Sequence, residues 1–323
     1  MAYDLEFEKP LVELEKKIAP LQRKGDRLKP EELRQLQDAE SDLQRRTAEI
    51  YKNLTSWQTV QVARHKDRPY AADYIRLMCD DFFELHGDRS FSDDHAIMAG
   101  PAMIDGTTIM LIGQQKGRDM KEKQYRNVGM PHPEGYRKAK RLLEQAEKFR
   151  MPVVCLIDTA GASVALPDEE RGQSEAIASI LYAMSRIRTP IVSTIIGEGG
   201  SGGALAIGIA DRVLMLQYSI YSVAAPEAVS SILWRDSAHA QYAANGMRIS
   251  AGEVLELGLI DEVLPEPIGG AHRNYHEMIT TLKEGIFRHL AELKQIPIDD
   301  LLEKRYQKFR SVGEYSTISP SKP

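Results

Sequence analysis

The sequence is poor in cysteine and has no apolar run of membrane-spanning length. Its two cysteines, Cys79 and Cys155, have no second cysteine at metal-ligand spacing, which argues against both a disulfide framework and a zinc site. Cys155 lies inside the apolar run PVVCLID and is expected to pack in the core. No stretch approaches the ~18 consecutive apolar residues of a transmembrane helix, and no basic segment followed by an apolar run opens the chain. These observations predict a cytoplasmic chain that does not bind membranes.

An excess of charge of either sign is also missing. The net charge is −5 over 323 residues, with acidic and basic residues interspersed, which argues against binding to nucleic acid through phosphate neutralisation. His132, His239 and His272 are isolated in sequence and lack the spacing of paired metal ligands. We therefore expect no metal site in this chain.

Apolar runs and helical patterns alternate along the middle of the chain. AIMAGPAMI and TTIMLIG flank Asp105-Gly106, a dipeptide typical of a β-hairpin turn. PVVCLID, PIVSTIIG and DRVLMLQ are almost wholly apolar, and the helical patterns PEGYRKAKRLLEQAEKFR, EERGQSEAIASILYAMSRI and ALAIGIA separate them. Such alternation predicts an α/β fold with parallel strands and helices on both faces of the sheet.

The two ends of the chain have helical patterns of their own. Residues 1–55 predict a charge-rich helical hairpin, with Pro30 in a first turn, that packs on the main body or on another subunit. A second helix is predicted from about residue 70 to 85, and further helix from about 274 to 310. We divide the chain into an N-terminal helical segment (1–90), a central domain (91–273), and C-terminal helices with a tail (274–323).

The segment GEGGSGGA, residues 197–204, is the most informative one. We predict a glycine-rich turn between a strand and a helix, where free N–H groups would bind a negatively charged oxygen. The letters fit a dinucleotide-binding fingerprint, but the next strand ends in Gln217-Tyr218 instead of the required acidic residue. No Lys-Ser or Lys-Thr follows, which argues against a phosphate-binding loop. A purely structural tight turn remains an alternative, and Glu198 is interpreted as a loop residue.

Several motifs in one order resemble a known family. GQQKGRD, RNVGMPHPEGYRKAKRL, EERGQSEAIA, GEGGSGGALAIG, YSVAAPEAVSSILW and GLIDEVLPEPIGGAHRN are similar to those of the alpha subunits of acetyl-CoA carboxylase carboxyltransferase, over residues 54–273. The resemblance implies a crotonase-like fold, a spiral of ββα units. It also implies transfer of a carboxyl group from carboxybiotin to acetyl-CoA, giving malonyl-CoA for fatty acid biosynthesis.

The resemblance further implies partners and a site. Biotin would arrive on a separate biotin carboxyl carrier protein, loaded by biotin carboxylase, and a beta subunit containing zinc would bind acetyl-CoA in an α2β2 complex. The N–H groups of Gly203 and Ala204 would form the oxyanion hole for the ureido oxygen, with Gly202 allowing close approach. Substrate-binding residues would be Gly161, Ala162, Gly199, Gly200, Lys116, Arg118 and Arg126. The basic segment 116–126 contacts CoA phosphates or the carrier, or is a solvated or intersubunit loop; both readings stay open.

The chain departs from the family pattern in two places. Ala160, Ser163, Val164 and Ala165 occupy positions where the family usually has proline, tyrosine, proline and glycine, and Ala228 stands where it has glycine. A loop without these prolines is expected to be looser or differently shaped. Two alternatives therefore remain: another crotonase-like acyl-CoA enzyme, complete without a beta subunit, and a non-catalytic scaffold.

Overall fold

A single mixed sheet forms the centre of the computed structural model, which describes residues 3–313. Its strand order is β1-β2-β3-β4-β5-β6-β8, with β7 paired to β5. β1, β2 and β3 are antiparallel, and all pairings from β3 onward are parallel. The strands are β1 (Asp81–Phe82), β2 (Ile97–Ile104), β3 (Thr107–Gln114), β4 (Val153–Thr159), β5 (Ile191–Gly200), β6 (Arg212–Leu216), β7 (Ile220–Ser222) and β8 (Glu262–Leu264).

Helices cover both faces of this sheet and extend beyond it at both ends of the chain. They are α1 (Lys9–Gln22), α2 (Pro30–Lys52), α3 (Ser56–Ala63), α4 (Ala71–Met78), α5 (Met120–Tyr125), α6 (Pro133–Phe149), α7 (Leu166–Glu170), α8 (Gln173–Arg186), α9 (Ser201–Leu205), α10 (Pro226–Trp234), α11 (Ala240–Gly246), α12 (Ala251–Glu256), α13 (Tyr275–Leu293) and α14 (Ile298–Arg310). No helix within residues 3–313 has both the length and the apolar character needed to cross a membrane.

The sheet separates two apolar layers. On one face, α6 and α8 pack against strand residues that include Cys155, which is fully buried. On the other face, α4 and α13 cover the alternate strand residues, such as Leu156. Successive residues of a strand point to opposite faces, so a strand buried on both faces must be apolar throughout. The predicted parallel sheet with helices on both faces is confirmed, and so is the core position of Cys155.

The hairpin between β2 and β3 is confirmed as well. Asp105 and Gly106 have φ angles of 47° and 72°, the left-handed pair that a two-residue turn of this twist requires. At the N-terminus, α2 begins at Pro30, where a fixed φ suits the first turn and no N–H is needed. The hairpin of α1 and α2 packs on the main body, where the ring of Tyr51 contacts that of Tyr218 edge to face.

Four helix predictions have wrong boundaries. The short helix predicted at ALAIGIA, residues 204–210, is α9, which runs from Ser201 to Leu205. The helix expected to reach residue 85 ends at Met78, and the chain then pairs with β2 as β1. The long helix after β4 breaks into α7 and α8 at Gly172, whose φ of 83° is outside the helical range. The C-terminal helix is interrupted between Leu293, the last residue of α13, and Ile298, the first of α14; Pro297, which has no N–H to donate to Leu293, prevents one continuous helix. The division of the chain at residues 90 and 273 stays a prediction.

Candidate active site

The glycine segment is a strand for most of its length. β5 continues through Gly200, and Gly199 lies opposite Thr159 of β4 on one side and Tyr221 of β7 on the other. The chain reverses only at Ser201, whose φ is 54°, and α9 begins there. The predicted turn at 197–200 is therefore wrong, because pairing with strands on both sides keeps these residues extended.

Close packing explains most of the glycines in this segment. A Cβ built on Gly200 would lie 2.1 Å from the carbonyl oxygen of Ala160, and one on Gly203 would lie 2.4 Å from the carbonyl carbon of Gly161. On Gly197 it would lie 2.7 Å from a carboxylate oxygen. Gly202 differs, since its Cβ would meet only the side chain of Ile177, at 3.8 Å. Gly202 therefore has open space over the first turn of α9.

The start of α9 presents backbone donors beside the loop that follows β4. Counted from the N-cap, the first four N–H groups of a helix have no partner inside it, and in α9 these belong to residues 200–203. The N–H of Ala204 closes the first turn on the N-cap carbonyl of Gly200. Gly203 and Ala204 are buried, and Gly203 packs on the peptide that joins Gly161 to Ala162. The N–H of Gly161 donates to Thr159 Oγ1 at 3.1 Å, so Gly161 provides a packing surface and its amide is engaged within the loop. The structure thus brings together residues 199–204 and 161–162, and their role towards substrate stays a prediction.

Lys116 lies behind this surface in a buried ion cluster. Its Nζ is 2.8 Å from Asp158 Oδ1 and 3.2 Å from Glu198 Oε2. Arg64 joins the other oxygen of Glu198 at 2.6 Å and reaches Glu227 at 2.7 Å. The interpretation of Glu198 as a loop residue is wrong, because it is a buried strand residue with two cationic partners.

Glu198 and Lys116 stay ionised. Burial by itself would raise the pKa of Glu198, but the ammonium of Lys116 and the guanidinium of Arg64 outweigh it and hold this pKa below its usual value. Burial would lower the pKa of Lys116, and the two carboxylates raise it instead. Groups so far from titrating at neutral pH hold structure and do not exchange protons.

A family model described as "Acetyl co-enzyme A carboxylase carboxyltransferase-like" matches residues 4–313. The chain belongs to this family. An acetyl-coenzyme A carboxylase carboxyl transferase subunit alpha of Geobacter metallireducens is 52% identical over 317 residues, which cover 97% of this chain and 98% of that protein. The predicted family is confirmed.

Solved structures confirm the crotonase-like fold. A Pseudomonas malonate decarboxylase hetero-tetramer in complex with coenzyme A gives a TM-score of 0.55 at 18% identity, covering 67% of this chain and 87% of that chain. The transcarboxylase 12S structure with bound methylmalonyl-coenzyme A gives 0.52 at 18% identity, covering 67% and 42%. At identities this low, the likeness establishes the fold alone.

In this member of the carboxyltransferase family, both predicted substrate-binding arginines make contacts within the chain. Arg118 donates to the carbonyl of Lys66 at 2.8 Å, and its guanidinium lies 4.5 Å from the centre of the Tyr70 ring. Arg126 donates to the carbonyl of His95 at 2.8 Å. Both fasten the basic segment to the body of the subunit, and their role towards substrate stays a prediction.

The loop that departs from the family pattern has its own hydrogen bonds. The hydroxyl of Ser163 donates to one oxygen of Asp168, and His132 Nδ1 is 2.7 Å from the other. The N–H of Ser163 donates to the carbonyl of Pro131 at 3.0 Å. Val164 is 92% exposed. These bonds fix the loop where the family usually has prolines.

Sequence reasoning missed four residues that organise the site. These are Arg64, Gln114, His132 and Asp168. Arg64 and Glu198 are separated by 134 residues in sequence, so no local spacing relates them. Gln114 is the first glutamine of GQQKGRD, and the available signal was a polar residue at the end of the apolar run TTIMLIG. The second departure, Ala228, is exposed on α10 next to Glu227.

Proposed function

We propose that this chain is the alpha subunit of acetyl-CoA carboxylase carboxyltransferase. It transfers the carboxyl group of carboxybiotin to acetyl-CoA, giving malonyl-CoA for fatty acid biosynthesis. The family match over residues 4–313 supports the reaction class. The observation that carries the site is the start of α9, where buried N–H groups lie against the loop that follows β4.

The chemistry needs donors that are already in place. Negative charge gathers on the ureido oxygen as the carboxyl group leaves, and fixed backbone donors stabilise it without reorganising. We assign this role to the N–H groups of Gly202 and Gly203, since that of Ala204 closes the first turn of α9, and loss of one such donor costs about 3 kcal/mol. The open space over Gly202 fits a planar ureido group approaching the first turn. Gly199, Gly200, Gly161 and Ala162 shape the floor of this site.

The other half of the site belongs to a partner. A beta subunit containing zinc holds acetyl-CoA and supplies the second oxyanion hole, in an α2β2 complex. Biotin arrives on its carrier protein after biotin carboxylase has loaded it. The ionised state of Glu198 and Lys116 supports a mechanism in which these residues position β5, while the freed ureido nitrogen or the released carboxylate acts as base. The isolated chain is expected to be inactive.

Co-expression with a beta subunit tests the proposal. The purified complex should carboxylate free biotin at the expense of malonyl-CoA, the reverse reaction. In Gly202→Ala, the added methyl group would occupy the space assigned to the ureido group and make only a van der Waals contact with Ile177, at 3.8 Å, and turnover should fall roughly tenfold or more. Gly252→Ala is the matched control, since Gly252 is also the second residue of a short helix and its Cβ would meet nothing within 4 Å.

The outcomes separate the alternatives. An assembled wild-type complex without transfer would favour the non-catalytic scaffold. Acyl-CoA hydration or hydrolysis by the chain alone would favour another crotonase-like enzyme. Gly202→Ala at the wild-type rate would remove the oxyanion assignment while leaving the family function intact.

A further inference from the structure

A buried carboxylate holds the ring of His132 by one of its two nitrogens. Asp168, whose side chain is 2% exposed, has its Oδ1 2.7 Å from His132 Nδ1. Burial raises the pKa of this carboxyl, and hydrogen bonds from Ser163 and His132 more than offset the rise. An ionised carboxylate can only accept, so Nδ1 carries the proton of this bond. In the neutral ring, Nε2 then has the free lone pair.

Nε2 lies on the open side of the ring. The side chain of His132 is 34% exposed, and since Nδ1 faces the buried carboxylate, the exposed part is the opposite edge, which carries Nε2. The backbone of the residue is fixed as well, because its N–H donates to Asp94 Oδ2 at 2.8 Å. The structure therefore presents one imidazole nitrogen to solvent in a set orientation.

His132 and the candidate oxyanion hole contact the same loop. Gly203 packs on Gly161, and two residues further along this loop the N–H of Ser163 donates to the carbonyl of Pro131 at 3.0 Å. Two residues of extended chain span at most about 7 Å. The imidazole therefore borders the site that we assign to the ureido group.

An imidazole held in this way is suited to moving protons. The carboxylate fixes the tautomer and stabilises the imidazolium that forms when Nε2 takes up a proton. The hydroxyl of Ser163 donates to Asp168 and not to the imidazole, so the group does not activate a nucleophile. The acyl group comes from the partner subunit, and a proton carrier that serves it has to lie on an exposed edge of this chain, as Nε2 does.

We propose that His132 is a catalytic acid–base residue of the carboxyl transfer, whose Nε2 carries a proton between the acyl carbon and the ureido nitrogen. The proposal rests on the proposed function. As carboxybiotin releases carbon dioxide, Nε2 takes a proton from the methyl carbon of acetyl-CoA, and the electron pair of the broken C–H bond forms the C–C bond to carbon dioxide. The imidazolium then gives its proton to the freed ureido nitrogen, which stays the final base. The same steps run backwards when malonyl-CoA carboxylates biotin.

His132→Asn separates proton transfer from support of the loop. The amide nitrogen of asparagine can replace Nδ1 as the donor to Asp168, but asparagine cannot take up and return a proton. In the complex with the beta subunit, kcat for carboxylation of free biotin should fall roughly 100-fold. KM for malonyl-CoA should stay within about twofold, and amide hydrogen exchange in residues 160–165 should match wild type. In His132→Ala, added imidazole should restore part of the rate.

His86→Asn is the matched control. His86 is also an exposed histidine held by a carboxylate, with Nδ1 3.0 Å from Asp93 Oδ2, but it lies in the segment before β2. Its kcat should stay within about twofold of wild type, and imidazole should not change it.

Four results would overturn the proposal. These are a wild-type rate in His132→Asn, faster exchange in residues 160–165 accompanying its loss of rate, a His132→Ala rate that imidazole does not raise, and an equal loss in His86→Asn. The first two would make the pair of His132 and Asp168 a structural brace and leave the proposed function intact. An inactive wild-type complex would remove the proposed function, and this proposal with it.

Discussion

The side chains of His132 and Asp168, 36 residues apart in sequence, meet with Nδ1 2.7 Å from Oδ1. The second oxygen of the same carboxylate accepts from Ser163, and Arg171 donates to the first at 2.7 Å. Burial alone would raise the pKa of Asp168, but its bonds to Ser163 and His132 lower it. One ionised carboxylate therefore fixes a loop that has lost the family's usual prolines.

Asp168→Ala should loosen this loop. The change leaves Ser163 and Arg171 without their shared acceptor, and hydrogen bonds to a charged group are worth about 1.5–3 kcal/mol. We expect a loss of about 2–3 kcal/mol in the free energy of unfolding, measured by urea denaturation. Amide hydrogen exchange in residues 160–165 should become faster, and carboxylation of biotin slower.

Glu169→Ala is the control for this change. Glu169 is adjacent but exposed, so stability and exchange should stay close to wild type. Unchanged exchange in residues 160–165 of Asp168→Ala would mean that the loop keeps its shape without this carboxylate.

Lys116→Met should be strongly destabilising. Asp158 and Glu198 have side chains that are 1% and 6% exposed, and removal of the ammonium leaves Asp158 without its cation and Glu198 with Arg64 alone. Breaking a buried ion pair in this way costs about 3–5 kcal/mol. The free energy of unfolding from urea titration measures the loss.

The same change with an exposed lysine gives the comparison. Lys123→Met, on α5, should shift the free energy of unfolding by less than about 0.5 kcal/mol. If Lys116→Met instead lost biotin carboxylation at unchanged stability, Lys116 would be a substrate-binding residue, as first predicted from its place in the basic segment.

Gly203→Ala tests the packing beneath the oxyanion hole. The added Cβ would lie 2.4 Å from Gly161 C and 2.5 Å from Ala162 N, and backbone atoms cannot rotate aside. Overpacking of this kind costs about 1–3 kcal/mol, so the melting temperature and the transfer rate should fall together. A variant that is stable but inactive would show that the loop at Gly161 and Ala162 moves aside at little cost in stability. The loss of activity would then come from the N–H donor at Gly203 alone.

The strands could be predicted from the sequence because burial on both faces demands continuous apolar runs, as in PVVCLID. The hairpin at Asp105-Gly106 was equally readable, since few residues tolerate two left-handed conformations in succession. The boundaries of α7 and α8 were not, because EERGQSEAIA carries helical composition through Gly172. β1 escaped prediction since its short pairing with β2 depends on tertiary contact.

The site was only half predictable. The glycines marked where backbone segments approach closely, but the sequence could not distinguish approach to a ligand from approach to another peptide. Only the structure separates Gly202, which faces open space, from Gly203, which packs on Gly161. The basic segment favoured Lys116 as a phosphate ligand. Its two carboxylate partners come from strands that are distant in sequence, so no local pattern indicated the ion cluster.

The stacked pair of His65 and His272 should make the protein sensitive to acid. Their rings are 3.9 Å apart at 15°, and His272 is fully buried. Burial, with the neighbouring His65 and the cation Arg273, lowers the pKa of His272 to about 2 from its usual 6.5. Below about pH 6.5, the unfolded chain therefore binds a proton that the folded chain excludes, and stability falls with decreasing pH by up to about 1.4 kcal/mol per unit.

His272→Leu should remove this part of the acid sensitivity, because leucine cannot take up a proton in the unfolded chain. Urea denaturation between pH 7 and about 4.5 measures the slope, which should be flatter in the variant even where its stability at pH 7 is lower. His276→Leu, at an exposed histidine of α13, should keep the wild-type slope. Equal slopes in all three proteins would mean that the pair does not exclude protons, and that the acid response comes from the carboxylates.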